Sequence, residues 1–206
     1  MGDFSSIDGQ NEQAGFAQSG ANFNIHAYYM VSNTFGVGGL LTGCTNSVNS
    51  TAYQTNFQED HPEITGWQIN AQKWSSGAFM VGGLVKLDIS ANLLWNARVG
   101  VGPVMIYSPE VEIIGTIDDE QQYINLIEKH KTTEFGFDIG SSLMLSLGGR
   151  TFLMVNGDYL YANATFEDFK TIEWTDPDEP PVEVVKEVTK PVHYMNLSFG
   201  LGFFIE

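Results

Sequence analysis

The sequence predicts an all-β fold, an antiparallel up-and-down barrel of about eight strands. Three observations carry this expectation. Apolar residues recur at every second position, in seven segments, rather than at helical spacing. The segments are joined alternately by short turns and long polar excursions. The residues between the apolar ones are small and glycine-rich, which is unlike the water-facing side of a soluble sheet.

The alternation can be followed along the chain. Residues 21–32 place Phe23, Ile25, Ala27, Tyr29 and Val31 on one face. Residues 35–44 do so with Phe35, Val37 and Leu41, and residues 78–89 with Phe79, Val81, Val85, Leu87 and Ile89. Residues 93–107 present Trp95, Ala97, Val99, Val101, Pro103, Met105 and Tyr107. Residues 135–147 follow with Phe135, Phe137, Ile139, Leu143, Leu145 and Leu147. Residues 153–163 give Leu153, Val155, Tyr159 and Tyr161, and the C-terminal stretch "YMNLSFGLGFFIE" gives Met195, Leu197, Phe199, Leu201, Phe203 and Ile205. The best helix candidate is "DDEQQYINLIEKHK", with Tyr123, Leu126 and Ile127 spaced for one face.

Short turns fall at 32–34, 90–92 and 148–150, and excursions of roughly 25–30 residues at 45–76, 108–134 and 165–191. A meander with tight turns at one end and long loops at the other produces this rhythm, which is the asymmetry of membrane barrels. The segment from "ATFEDFKTIEW" through "TDPDEPP" to "VEVVKEVTKPVHY" reads as a protruding hairpin with a proline-rich tip. The whole chain reads as one domain, 1–206.

Composition limits the function classes. A net charge of −16 speaks against a phosphate-binding surface for nucleic acid, which needs clustered Lys and Arg. Only 17% of residues are charged while 13% are aromatic, too apolar a balance for a disordered chain. The single cysteine, Cys44, excludes an intrachain disulfide, and the four histidines show no zinc-ligand spacing. No apolar run is long enough for a transmembrane helix, and no secretory signal is visible.

The decisive choice is whether the apolar faces meet a protein core or lipid. The opposite face is Asn196, Ser198, Gly200 and Gly202 in the last strand, and Gly136, Asp138, Gly140, Ser142, Met144 and Ser146 in residues 135–147. Small residues suit the interior of a narrow barrel. No charged residue lies on the apolar face of the seven segments. One Arg or Lys there would cost about 2–4 kcal/mol at the middle of a bilayer. The apolar faces are therefore expected to meet lipid. Trp95 and Tyr107 stand twelve residues apart on one such face, a separation of roughly 30 Å along a tilted strand. Tyr29, Phe35 and Phe203 are expected to join Trp95 at one membrane interface, and Phe135, Tyr159 and Tyr161 to join Tyr107 at the other. The ionisable residues within the strands, Lys86, Asp88, Arg98, Asp138 and Asp158, fall on the small-residue face with His26 and Asn156. Their mixed signs predict a paired polar network that plugs the lumen.

Topology adds an expectation at the N-terminus. The last strand and residues 21–32 both run toward the short-turn side. Single-chain bacterial barrels have even strand numbers with both termini on that side. An ascending strand is therefore expected ahead of residue 21. Residues 1–20 read as its remnant and loop, with the sequence starting inside that strand and the signal peptide missing.

The stretches "FNIHAYYMVSNTFGVGGLLTG", "LLWNARVGVGPVMIY" and "MNLSFGLGFFIE" resemble the small outer-membrane β-barrel family of Gram-negative bacteria, the OmpX- and opacity-like barrels. Such proteins usually end in an aromatic residue, whereas here Glu206 follows Phe203 and Phe204. The resemblance implies residence in the outer membrane, lipid as the surrounding partner, and recognition of the last strand by the barrel-assembly machinery. It does not imply one activity.

The expected function is a non-enzymatic structural or surface-interaction role through long acidic external loops, with no cofactor. Glu110, Glu112, Asp118, Asp119 and Glu120 lie in one loop and Asp176, Asp178 and Glu179 in another. These read as solvated acidic loops facing an unknown extracellular partner. Oxygen-rich clusters also suit calcium, but no metal site is assigned. A narrow pore for ions or small solutes and a soluble lipocalin-like ligand-binding barrel remain as alternatives. A barrel hydrolase would need a nucleophile in a Ser–His or Ser–acid setting. His26, His61, His130 and His193 are scattered and stand in no such context.

Overall fold

The computed structural model describes residues 16–60, 62, 64–117, 121–174 and 179–205. Among these residues there are ten strands and one helix. These are β1 (Ala17–Met30), β2 (Phe35–Val48), α1 (Ser50–Asp60), β3 (Ile64–Ala71), β4 (Trp74–Ser90), β5 (Leu93–Tyr107), β6 (Val111–Ile117), β7 (Gln121–Ile127), β8 (Lys131–Gly148), β9 (Thr151–Trp174) and β10 (Val182–Phe203). Every pairing is antiparallel.

Seven long strands form the meander β1–β2–β4–β5–β8–β9–β10. They correspond to the seven alternating segments of the sequence. Register follows from the alternation: Phe79 stands opposite Leu41, Val99 opposite Ile139, and Phe199 opposite Val155. A slip of one residue would move a whole apolar set to the other face. The short turns have local chemistry to match. The β1–β2 turn is closed by Val31 N–H donating to Phe35 O at 2.8 Å, and Ser32 Oγ accepts from Phe35 N at 3.0 Å. The β8–β9 turn needs left-handed backbone at Gly148 (φ 101°) and Gly149 (φ 62°), which glycine adopts without a Cβ clash.

The strand count differs from about eight because the long excursions are not structureless. Residues 108–134 contain the hairpin β6–β7, and residues 45–76 contain α1 and β3. β7 pairs with the upper part of β9, β6 with β7, and β3 with β6. The same ten-stranded sheet thus continues beyond the loop end of the meander, in the order β9–β7–β6–β3. The helix candidate is a correction: Gln121–Ile127 is strand β7. Its helical spacing was outweighed by pairing on both edges, with Ile124 opposite Ile114 on β6 and Trp174 on β9.

The one helix of the described residues, α1, lies where no apolar periodicity announced it. Asn49 caps it, its Oδ1 accepting from Ala52 N at 3.1 Å. Tyr53 and Phe57, one turn apart, dock it. Tyr53 packs on Phe16 at 4.8 Å between ring centroids, and Phe57 meets Trp67 edge-on at 5.1 Å. β1 begins at Ala17, so residues 17–20 belong to the strand rather than to a loop. The expectation of an earlier ascending strand falls on residues 1–15, outside the described residues.

The sheet curls until its two ends meet through side chains. Asn22 Nδ2 on β1 donates to Asn196 Oδ1 on β10 at 3.0 Å, and Asn24 Nδ2 donates to Ser198 Oγ at 3.4 Å. β1 and β10 run in the same direction, and among the described residues each has backbone pairing on one side only, with β2 and β9. Among the described residues the sheet is therefore not closed by a backbone ladder.

Candidate functional site: a filled interior and an apolar outer belt

The even-numbered residues of the long strands face the interior, and they sort by height. At the loop end Leu40, Ala78, Met80, Val104, Ile106 and Leu160 belong to one apolar cluster, which Trp74, Phe166 and Val192 extend. These side chains are almost wholly buried and pack together on the concave face of the sheet.

Below them lies the polar network. Arg98 on β5 forms an ion pair with Asp158 on β9, and both are buried. Arg98 Nη1 also donates to Asn96 Oδ1 at 3.3 Å and to Ser142 Oγ on β8. Ser142 donates on to Asn156 Oδ1, and Asn156 Nδ2 donates to Ser198 Oγ on β10 at 3.3 Å. Asn24 on β1 donates to Asp158 Oδ2 at 3.3 Å and accepts from Thr42 Oγ1 on β2 at 2.6 Å. One chain of hydrogen bonds therefore joins six of the seven meander strands. Two charges out of water are tolerated only with close pairing and further donors and acceptors around them, which this network supplies. Gly140 makes room for it: a Cβ there would run into Asp158 Oδ1 and the Arg98 guanidinium.

The expected interior residues take different places. Arg98, Asp138, Asn156 and Asp158 are buried. Asp138 keeps Oδ2 without a hydrogen-bond partner, and His26 keeps both ring nitrogens so. Lys86 and Asp88 sit near the short turns, 3.5 Å apart, with the Asp88 side chain 64% exposed. Asp88 thus stands at the rim rather than within the network. The uncharged members Asn24, Thr42, Asn96, Ser142 and Ser198 escaped the sequence reading as network partners. The available signal was their even-numbered parity on the same faces as Arg98 and Asp158.

The outer face is the reverse. Phe23, Ile25, Phe35, Val37, Phe79, Val81, Val99, Val101, Phe137 and Ile139 are exposed, as are Leu143, Leu145, Leu153, Val155 and the β10 set. Met195 and Phe199 are 84% and 78% exposed. Of the aromatics expected at interfaces, Tyr29, Phe35, Phe135 and Phe203 are exposed, while Trp95, Tyr107, Tyr159 and Tyr161 are half-buried. Trp95 Nε1 donates to Ser141 Oγ at 2.9 Å. The Tyr107 ring carries Lys129 and Lys131 ammonium groups at 5.7 and 5.5 Å.

Beyond the belt, the loop-end sheet holds several expected loop residues. Glu112 accepts from Asn70 Nδ2 at 3.1 Å and Glu110 from Gln72 Nε2 at 3.1 Å. Asp118, Asp119, Glu120, Asp176 and Asp178 lie outside the described residues, as do His61 and Glu206. Among the described residues no three of His, Cys, Asp and Glu group as metal ligands. His130 Nε2 accepts from Lys170 N at 2.9 Å and its ring packs on Phe169, so it fastens the β9 extension to the rim. No family model matches the chain, and no curated protein matches it.

Proposed function

We propose that this chain is a non-enzymatic integral outer-membrane β-barrel protein. Its plugged interior braces the strands, and its loop-end sheet faces the outside for surface interaction. The observation that carries the reading is the outer belt. Exposed large apolar side chains run over all seven meander strands, while the Arg98–Asp158 pair is buried inside. A soluble protein rarely leaves contiguous apolar patches of more than a few hundred Å2 in water. A lipocalin-like barrel would need the opposite arrangement, apolar within and polar without. The apolar plug at the loop end disfavours a pore, because Trp74, Ile106 and Phe166 occupy the path an ion would take.

The lysines at Tyr107 suit the boundary between acyl chains and headgroups, where an aromatic ring and cations sit together. Lipid is then the surrounding partner, and the last strand is the segment offered to an assembly machinery. Fractionation of expressing cells, with gel mobility compared before and after boiling, tests the reading. Recovery with the outer membrane and faster migration of the unboiled band are expected. A soluble fraction with one heat-independent band overturns it.

A further inference from the structure

A cavity of about 330 Å3 lies in the short-turn half of the interior and reaches the edge where β1 and β10 meet. Its walls come from both sides of the sheet. Ile25, Leu201 and Phe203 belong to the outer face, while His26, Arg98 and Asn156 belong to the interior. Its lining therefore reaches the seam, where neither strand has a backbone partner on that edge among the described residues. Its volume is at the lower end of the range for small-molecule sites.

The chemistry of the lining is divided. Met30, Leu84, Met144, Phe152 and Met154 are its apolar lining. Three methionines give it an adaptable surface that takes up a flexible chain. The polar lining comprises Lys86, Arg98, His26, Asn24 and Asn156, with Lys86 next to Leu84 on β4. Lys86 and Arg98 are cations, and no carboxylate belongs to the lining. Asp158 already shares the Arg98 charge, whereas the partner of Lys86 is the largely exposed Asp88. Buried polar atoms without a partner are uncommon, and here both His26 nitrogens and Arg98 Nε are such atoms on residues lining one cavity.

We propose that this cavity binds a free fatty acid, its carboxylate held by Lys86 and His26 and its chain seated against Met30, Phe152 and Met154. The acid enters through the seam. The site rests on the membrane reading only for the side from which the acid arrives.

The test uses the full chain in nanodiscs of uncharged phosphatidylcholine with radiolabelled dodecanoate. Saturable one-to-one binding above that of empty nanodiscs is expected. Lys86→Gln removes a charge-assisted hydrogen bond, so about tenfold weaker dodecanoate binding is expected with dodecanol binding unchanged. Met154→Trp fills the cavity and abolishes both. Unboiled gel mobility reports whether each variant is folded. A diazirine-bearing fatty acid on the unmodified protein gives a readout free of any variant, with adducts expected on Met30 and Met154. Non-saturable binding, undiminished binding by folded Met154→Trp, or adducts confined to the outer belt overturns the proposal. The same binding assay on amphipol-held protein separates this proposal from the membrane reading, since a chain that fractionates as soluble yet binds dodecanoate loses only the latter.

Discussion

At the scale of residues, the Arg98–Asp158 pair concentrates the energetics of the interior. Neither charge has water to fall back on, and Asp138 lies buried with them. Arg98→Met leaves two buried carboxylates without their cation. A loss of about 3–5 kcal/mol is expected in urea unfolding from phospholipid vesicles. The double variant Arg98→Met with Asp158→Leu recovers part of this loss, because that pair is removed together with its desolvation cost while Asp138 stays buried without the Arg98 charge. Above the belt, on the β10 extension, Lys190 offers a pH handle. Burial, with the Lys186 ammonium adding to it, pushes its ammonium down to about 8. The folded chain therefore sheds this proton before the unfolded chain does. Between about 8 and the ordinary lysine value near 10.4 the unfolded state binds more protons, so this group makes stability rise with pH across that window. Thermal melts at increasing pH should show the rise, and Lys190→Met should flatten it.

At the scale of elements, the loop-end structure is attached in two ways that have separate consequences. The strands β7, β6 and β3 extend β9 through backbone pairing. The helix α1 is attached by the rings of Tyr53 and Phe57 against Phe16 and Trp67. Phe57→Ala removes the edge-on contact with Trp67 while leaving the meander untouched. Faster limited proteolysis within residues 50–60 is expected, with the unboiled gel band retained. His130→Ala removes the acceptor for Lys170 N, and it should raise amide exchange at Lys170 on the β9 extension without altering the meander strands.

At the scale of the whole molecule, the belt and the interior make opposite demands on charge. Ile139 lies mid-strand on β8 and is 52% exposed. Ile139→Arg places a cation where the belt is continuous, and a cost of about 2–4 kcal/mol is expected if the belt meets lipid at its midplane. Lys131→Arg, at the loop end of the same strand, should cost nothing measurable. Yield of the heat-modifiable form after refolding into vesicles distinguishes the two. Equal yields would count against a lipid-facing belt.

The legible and illegible parts of this fold have physical causes. A half-buried strand writes a period of two into the sequence because side chains alternate strictly across the sheet. The seven meander strands and their short turns were readable for that reason, and so was the interior placement of Arg98, Asp138 and Asp158. The strands β3, β6 and β7 were not. Gln121–Ile127 carries a weak pattern, and its strand state depends on the edges of β6 and β9 reaching it. The helix α1 was missed because only Tyr53 and Phe57 mark its inner side, and what they dock on is distant in sequence. The hydrogen-bond chain from Thr42 through Asn24, Asp158, Arg98, Ser142 and Asn156 to Ser198 joins residues far apart along the chain. Parity says that they share the interior, but only curvature and register decide which of them touch.

The sequence by itself determined the antiparallel meander, its short turns and the face on which each side chain lies, because these follow from local alternation and turn chemistry. Tertiary structure alone decided that the excursions pair onto the upper part of β9 and extend the same sheet, that Arg98 chooses Asp158, and that β1 meets β10 through Asn22, Asn24, Asn196 and Ser198 rather than through backbone. Those outcomes depend on how far the sheet curls. Curl is the sum of twist over many strands, and no single stretch of sequence contains it.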